Sequence, residues 1–320
     1  MPTARRPDST AAAPRGTLIV RLCNWVGEVV LSVPALGALE AAGYALELLG
    51  KAWAPALLAG AGWPVTVRRG GVLNAARQLR ALSGAAPPRD GRTPALLFTK
   101  SLSSALEARL AGLAAAGYAH DGRSLLLERA YPRPRDVHTA DSYCRLASLF
   151  LGTEVTFPAG AYLRADAAQR ATGTQLLAAR GLAPGRYVLL CPFSGADDRE
   201  RRKVWPGFAE LARRLAAEGI AVVVCPGPGE EALAAATLPG ALLLAGVDLG
   251  VYAALLSSAS AVVANDTGPG HLAAAVGARL VSIYGPQSVA AWAPRGPQVQ
   301  LFHDRSGWPS VEAVARAALA

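Results

Sequence analysis

The most chemically loaded stretch of the 320-residue chain runs from Asp266 to His271, Asp-Thr-Gly-Pro-Gly-His. Gly268 and Gly270 let a backbone approach a ligand closely, and Thr267 and helix-start N–H groups can donate to phosphate oxygens. His271 can add one more hydrogen bond to an anion. Asp266 would repel phosphate, so it suits bracing the loop or accepting from a sugar hydroxyl. The same residues also read as an Asp/Thr helix cap with a histidine on the helix surface. The flanks narrow the setting. Ala261–Ala264 predicts a buried strand, Leu272–Val276 a helix stopped at Gly277, and Leu280–Tyr284 another strand. The polar cluster therefore lies at the carboxyl end of a strand, where open α/β sheets bind ligands.

Three further stretches carry candidate chemistry. Glu28 follows Gly27 after the first apolar run. It reads either as an acidic residue favoured at a helix N-terminus or as a general base that takes a proton from an attacking hydroxyl. The segment Tyr187–Leu215 runs from a strand into Ser194 and Gly195, then through a charged loop to Lys203, Trp205 and Pro206. A Ser–Gly turn with a lysine beside a helix start makes an anion cradle; the alternative is a solvated loop whose cations pair with Asp197, Asp198 and Glu200. The loop has no Asp-x-Asp arrangement of the kind that holds a metal–diphosphate. Finally, Gly227-Pro-Gly229-Glu-Glu-Ala232 matches a loose dinucleotide pattern. Its two carboxylates oppose a pyrophosphate there, and Glu230 and Glu231 fit ribose hydroxyls better. Motifs for a P-loop kinase or a hydrolase elbow are absent. His120, His138 and His303 have no companions at metal-ligand spacing, so no metal site is expected.

These residues need a scaffold. Apolar strand-like runs at 17–22, 46–49 and 95–98 alternate with Ala/Leu-rich helical ones, such as 29–42. A polar, proline-containing zone follows at 128–144. The alternation then restarts at 187–191, 221–225, 242–244, 261–264 and 280–284. This predicts an α/β chain of two parallel-sheet units facing a cleft, residues 17–165 and 166–320, behind a flexible tail of residues 1–16. Lys plus Arg number 32 against 23 Asp plus Glu, a balance of +9 that suits an anionic partner. The four cysteines are widely spaced without a CxxC pair and read as buried, reduced thiols. With no signal-peptide or membrane-spanning stretch, a cytoplasmic protein is expected.

Five stretches, in order, carry a resemblance: Asn24–Leu36, Ala116–Leu127, Val137–Gly152, Lys203–Pro206, and the run from Asn265 to Pro286 with its Asp-Thr-Gly-x-x-His-Leu-Ala-Ala core. Together they resemble the glycosyltransferase family that contains the bacterial lipopolysaccharide heptosyltransferases, over nearly the whole chain from Thr17. The resemblance implies a GT-B fold, two Rossmann-like doubly wound domains with the site between them. It implies transfer of heptose from ADP-heptose to a lipopolysaccharide core or related glycolipid acceptor, inverting and without a metal or other cofactor. The +9 balance fits a nucleotide-sugar and a phosphorylated acceptor at an anionic bilayer; peripheral contact with the cytoplasmic face of the inner membrane is an expectation that no segment marks out, and no nucleic-acid partner is expected.

By position, Glu28 takes the catalytic-base slot, where most members have Asp, so the carboxylate is longer by one methylene, about 1.5 Å. Lys203, Ser194, Thr267, Gly268 and His271 take the donor-diphosphate positions, and Glu230 or Glu231 the ribose position. Arg123 and His138 match acceptor-side positions, either touching acceptor or bracing the fold. Alternatives are a GT-B nucleotide-sugar epimerase or hydrolase, a Rossmann oxidoreductase using Gly227 and Gly229, and a non-catalytic nucleotide-sugar binder.

Overall fold

The structure, a computed structural model, describes residues 13–85, 91–193, 204–285, 289–303 and 307–320. Twelve strands among them form two parallel six-stranded sheets. The first has the order β3-β2-β1-β4-β5-β6, from β1 (Gly16–Arg21), β2 (Tyr44–Gly50), β3 (Val65–Val67), β4 (Pro94–Leu97), β5 (Ala114–Tyr118) and β6 (Arg129–Tyr131). The second runs β12-β11-β10-β7-β8-β9, from β7 (Tyr187–Cys191), β8 (Ala221–Val224), β9 (Leu242–Leu243), β10 (Ala261–Asn265), β11 (Leu280–Tyr284) and β12 (Val299–His303). Counted from its own first strand, each sheet has the same doubly wound order. Each therefore reverses direction between its first and fourth strands, and such a switch point opens a crevice at the strands' carboxyl ends.

The alternation of side chains along β1 decides what covers each face. Leu18, Val20 and Leu22 enter the larger core with α1 (Val26–Ala41) and α5 (Thr139–Leu151). Ile19 enters a separate core with Leu79 of α3 (Val72–Ala85) and Ala105 and Ala108 of α4 (Leu102–Leu110). That larger core continues into the second unit without a break, through α9 (Leu249–Ser258) and α10 (Gly268–Ala275). The two units meet through α1 against α10 and through α2 (Ala54–Leu58) against α9. Gly250 makes the second approach possible, because a Cβ there would sit 2.5 Å from the Ala56 carbonyl oxygen. Gln169, in α6 (Ala167–Ala178), donates to that same carbonyl at 2.8 Å.

Two helices start earlier than their apolar periodicity indicates. α1 opens at Val26, so Glu28 already lies in its first turn. α10 opens at Gly268 and takes in Pro269, Gly270 and His271. Proline in a first turn sacrifices no intrahelical hydrogen bond, and its fixed φ suits the helix. The four cysteines are free thiols, with Cys23, Cys144 and Cys191 buried.

Candidate functional site

The switch points of the two sheets face one another. On the first unit, the first turn of α1 after β1 carries Glu28, and Lys100 follows β4. On the second, β10 runs into Thr267 and α10. The N-termini of α1 and α10 abut so closely that a Cβ on Gly27 would lie 2.8 Å from Cδ2 of His271. One on Gly268 would lie 3.2 Å from Cβ of Val26. Gly268, read for close approach to a ligand, thus serves the contact between the units together with Gly27, whereas a Cβ on Gly270 would meet its own unit, 3.2 Å from the Asn265 carbonyl oxygen.

Glu28 is partly buried, and its Oε1 accepts from the Tyr143 hydroxyl at 3.2 Å. Lys100 Nζ lies 4.0 Å from the same oxygen. The Tyr143 oxygen also stands 2.8 Å from Cys23 Sγ, which donates to the Phe98 carbonyl at 3.4 Å. Burial, followed by coupling to the neighbouring Cys23 and Glu28, raises the Tyr143 hydroxyl well above its ordinary range. It therefore stays protonated and donates at any working pH. The contacts to Tyr143 and Lys100 fall on Oε1.

The Asp266–His271 cluster is sorted by the helix cap. Thr267 is the N-cap of α10: its hydroxyl accepts from the Gly270 N–H at 3.4 Å and donates to the Asn265 carbonyl at 3.4 Å. Asp266 braces rather than reaches outward, since Oδ1 accepts from the Tyr284 hydroxyl at 2.8 Å. His271 is only 4% exposed, and its Nδ1 is buried without a hydrogen-bond partner among the described residues. Burial, with a smaller contribution from His138, lowers this imidazole to about 4. It is neutral at pH 7, a hydrogen-bonding group and not a fixed charge.

His138 and Arg123 are both internal. His138 caps α5, accepting from the Ala140 N–H at 3.1 Å on Nδ1, and its Nε2 reaches the Ala293 carbonyl at 2.9 Å. An acceptor role for Nδ1 leaves the proton on Nε2, so this side chain ties the first unit to the second. The Thr139 N–H donates to the Ala291 carbonyl at 2.9 Å, and Arg295 forks onto Asp141 at 2.6 and 2.9 Å, completing the tie. Arg123 is fully buried; Nη1 donates to the Thr99 carbonyl at 2.6 Å, and burial lowers the guanidinium to about 10. It shapes the backbone after β4, two residues before Ser101 and one before Lys100.

Glu230 and Glu231 turn back on their own glycine loop. Their Oε2 atoms accept from the Gly227 and Gly229 N–H groups at 2.9 Å each. Ser194 and Lys203 lie outside the described residues, but the segment that carries them is held at both flanks by one side chain. Asn265, fully buried, accepts from the Trp205 N–H at 3.0 Å and donates to the Pro192 carbonyl. A cavity of about 850 Å³ is lined by Lys100, the neighbour of Glu28, with Arg133, Arg135, Asp136 and Thr139 from the first unit and Ala290, Ala291 and Trp292 from the second. Among the described residues, no three His, Cys, Asp or Glu side chains come together as a metal-binding group.

Reading the sequence for single motifs missed Tyr143, Lys100 and Asn265. Lys100 had a usable signal, a lone cation directly after an apolar strand. Tyr143 had none, because a tyrosine in an amphipathic helix reads as core.

Two doubly wound domains with their switch points opposed across one crevice define the architecture of GT-B glycosyltransferases. The model of glycosyltransferase family 9 (heptosyltransferase) matches residues 93–317, and the chain belongs to that family. Solved structures share the fold throughout. A family 9 glycosyltransferase from Veillonella parvula aligns with a TM-score of 0.77 at 17% identity, over 92% of this chain and 87% of that one. The Escherichia coli ADP-heptose LPS heptosyltransferase II gives 0.74 at 22% identity, over 95% and 98%. The Escherichia coli heptosyltransferase WaaC with ADP gives 0.71 at 21%, over 94% and 98%. Among curated proteins, none matches the sequence. The protein is a glycosyltransferase.

Proposed function

We propose that the protein transfers heptose from ADP-heptose to a hydroxyl of a lipopolysaccharide core or related glycolipid, with inversion at the anomeric carbon. The observation that carries this reading is the abutment of the α1 and α10 N-termini. It sets a carboxylate held by Tyr143 beside a helix start and a neutral buried imidazole. Two of the similar structures, both of WaaC, contain ADP and an ADP-2-deoxy-2-fluoro heptose.

In this reading Glu28 takes the proton from the acceptor hydroxyl as its oxygen attacks the anomeric carbon from the face opposite the diphosphate. The bond from that carbon to the diphosphate oxygen breaks, and ADP leaves. Negative charge builds on the departing oxygen, where the α10 N-terminus, the His271 imidazole and Lys203 meet it without a metal. Glu230 or Glu231 would exchange its glycine-loop hydrogen bond for ribose hydroxyls, and Ser194 would face the diphosphate. The cavity bearing Lys100, Arg133 and Arg135 suits an acceptor that carries phosphate or carboxylate groups. Its walls come from both units, and in this reading the acceptor enters from that side. In this reading the transfer runs in the cytoplasm, at the inner face of the membrane.

Incubation with a panel of ADP-, UDP- and GDP-sugars plus a lipid A-core acceptor, read by mass spectrometry, tests the reading. It predicts a heptose mass added to the acceptor, from ADP-heptose alone and in chelator-treated buffer. Turnover from another nucleotide sugar, or an isomerised or hydrolysed donor with the acceptor unchanged, would overturn it.

A further inference from the structure

Tyr284, the last residue of β11, is fully buried, and its hydroxyl has two acceptors within reach. Oδ1 of Asp266 lies at 2.8 Å and the Trp292 carbonyl at 3.2 Å. Burial, followed by the Asp266 carboxylate, pushes this phenol well above its ordinary range, so it keeps its proton. A phenol has one proton to give, and here a carboxylate and a carbonyl share it. The bond to the carboxylate is shorter and charge-assisted, and it takes the larger part.

The two acceptors belong to different parts of the crevice. Asp266 sits between β10 and Thr267, the cap of α10. It is only partly buried, so a sugar hydroxyl can still reach its carboxylate. Trp292, 38% exposed, stands in the cavity wall, on a turn closed by the Trp292 and Ala293 N–H groups on the Val289 carbonyl at 3.2 and 2.9 Å. The consecutive carbonyls of this turn are held from both units. Those of Ala291 and Ala293 meet Thr139 and His138 at the start of α5, and the one between them, of Trp292, meets Tyr284. Tyr284 is thus the second unit's hold on a wall that the first unit grips on either side.

We infer that Tyr284 couples the two binding sides as a positioning residue. A nucleotide sugar at the Asp266–His271 turn firms the cavity wall at Trp292 and so strengthens the hold on the acceptor. A sugar hydroxyl donating to Asp266 satisfies part of that carboxylate's charge and loosens its claim on the phenol proton, which then passes to the Trp292 carbonyl. Coupling of this kind is reciprocal: a bound acceptor that fixes the wall strengthens the hold on the donor equally. Which side takes donor and which takes acceptor rests on the reading above; the shared proton does not.

Two measurements on the full-length protein test it. In the first, amide hydrogen exchange is followed by mass spectrometry across residues 289–295 without ligand. Tyr284→Phe keeps the ring in the core and removes the proton. It should speed exchange at the Trp292 and Ala293 amides about fivefold, on the scale of one lost hydrogen bond. Asp266→Asn should do the reverse and slow those amides below the wild-type rate, since a neutral amide oxygen competes less for the proton. A tyrosine that merely braced the core would give no slowing in that variant. In the second, initial rates are taken with ADP-heptose and a lipid A-core acceptor varied together. Raising ADP-heptose through its own KM should lower the wild-type acceptor KM about fivefold, but by less than about twofold in Tyr284→Phe, with kcat changed little. Equal exchange in the three ligand-free proteins would overturn the inference. So would an acceptor KM that follows ADP-heptose alike in wild type and Tyr284→Phe. A wild type that transfers no sugar, while exchange shifts in both predicted directions, would defeat the proposed reaction and leave the shared proton standing.

Discussion

Tyr143 donates to Oε1 of Glu28 at 3.2 Å from a helix 115 residues further along the chain. The bond gives the extra methylene of Glu28 a purpose: the longer side chain reaches a phenol wedged between it and Cys23. Tyr143→Phe should keep the fold and the Michaelis constant for the nucleotide sugar, and lower kcat roughly tenfold or more, as loss of a hydrogen bond to a charged group would. Steady-state kinetics with the donor varied decide it. An unchanged kcat would remove Tyr143 from the positioning of the base.

Gly27 should tolerate no side chain. A methyl at 2.8 Å from the His271 ring forces apart the two helix N-termini on which the site depends, whereas one at Gly268 meets Val26 at 3.2 Å. Gly27→Ala should cost about 1–3 kcal/mol by overpacking and impair transfer more than Gly268→Ala does. Thermal unfolding and turnover of the two variants, side by side, check the order.

His271 makes stability depend on pH in a stated direction. The folded imidazole sits near 4 against an ordinary 6.5, so between those values the unfolded chain binds more protons than the folded one. Stability conferred by the neutral form is present above 6.5 and drains away as the pH falls toward 4. His138, lowered by burial and by Arg295, acts in the same sense. Denaturant midpoints measured from pH 7 to pH 4.5 should fall, and His271→Asn should flatten that slope.

Asn265 binds both flanks of the segment that holds Ser194 and Lys203. An aspartate there still accepts from Trp205 but has no N–H for the Pro192 carbonyl. Asn265→Asp, which also turns a buried carboxylate toward that carbonyl oxygen, should therefore cost at least about 1–3 kcal/mol and weaken ADP binding in calorimetry.

Much of this frame was legible in the sequence, and the misses share physical causes. Continuous apolar runs such as Tyr187–Cys191 and Ala261–Ala264 announce strands because both faces are buried. β5, Ala-Ala-Ala-Gly-Tyr, was missed because alanine favours helix and tertiary pairing overrode it. β3 and β6 are three residues each, too short for any periodicity. At the site, Glu28 and His271 stood out by type and position. Their mutual placement rests on Gly27 and Gly268 and on helices far apart in the chain, so local spacing could not disclose it. The same holds for His138, whose partner Ala293 lies 155 residues away.

The most direct test of the central claim removes the charge of Glu28 and nothing else. In Glu28→Gln, transfer from ADP-heptose should fall by at least about a hundredfold, the scale of a lost general base, while calorimetry returns the wild-type affinity for ADP. Turnover near the wild-type rate in that variant would contradict the account, because the carboxylate at the crevice would then have no part in the reaction.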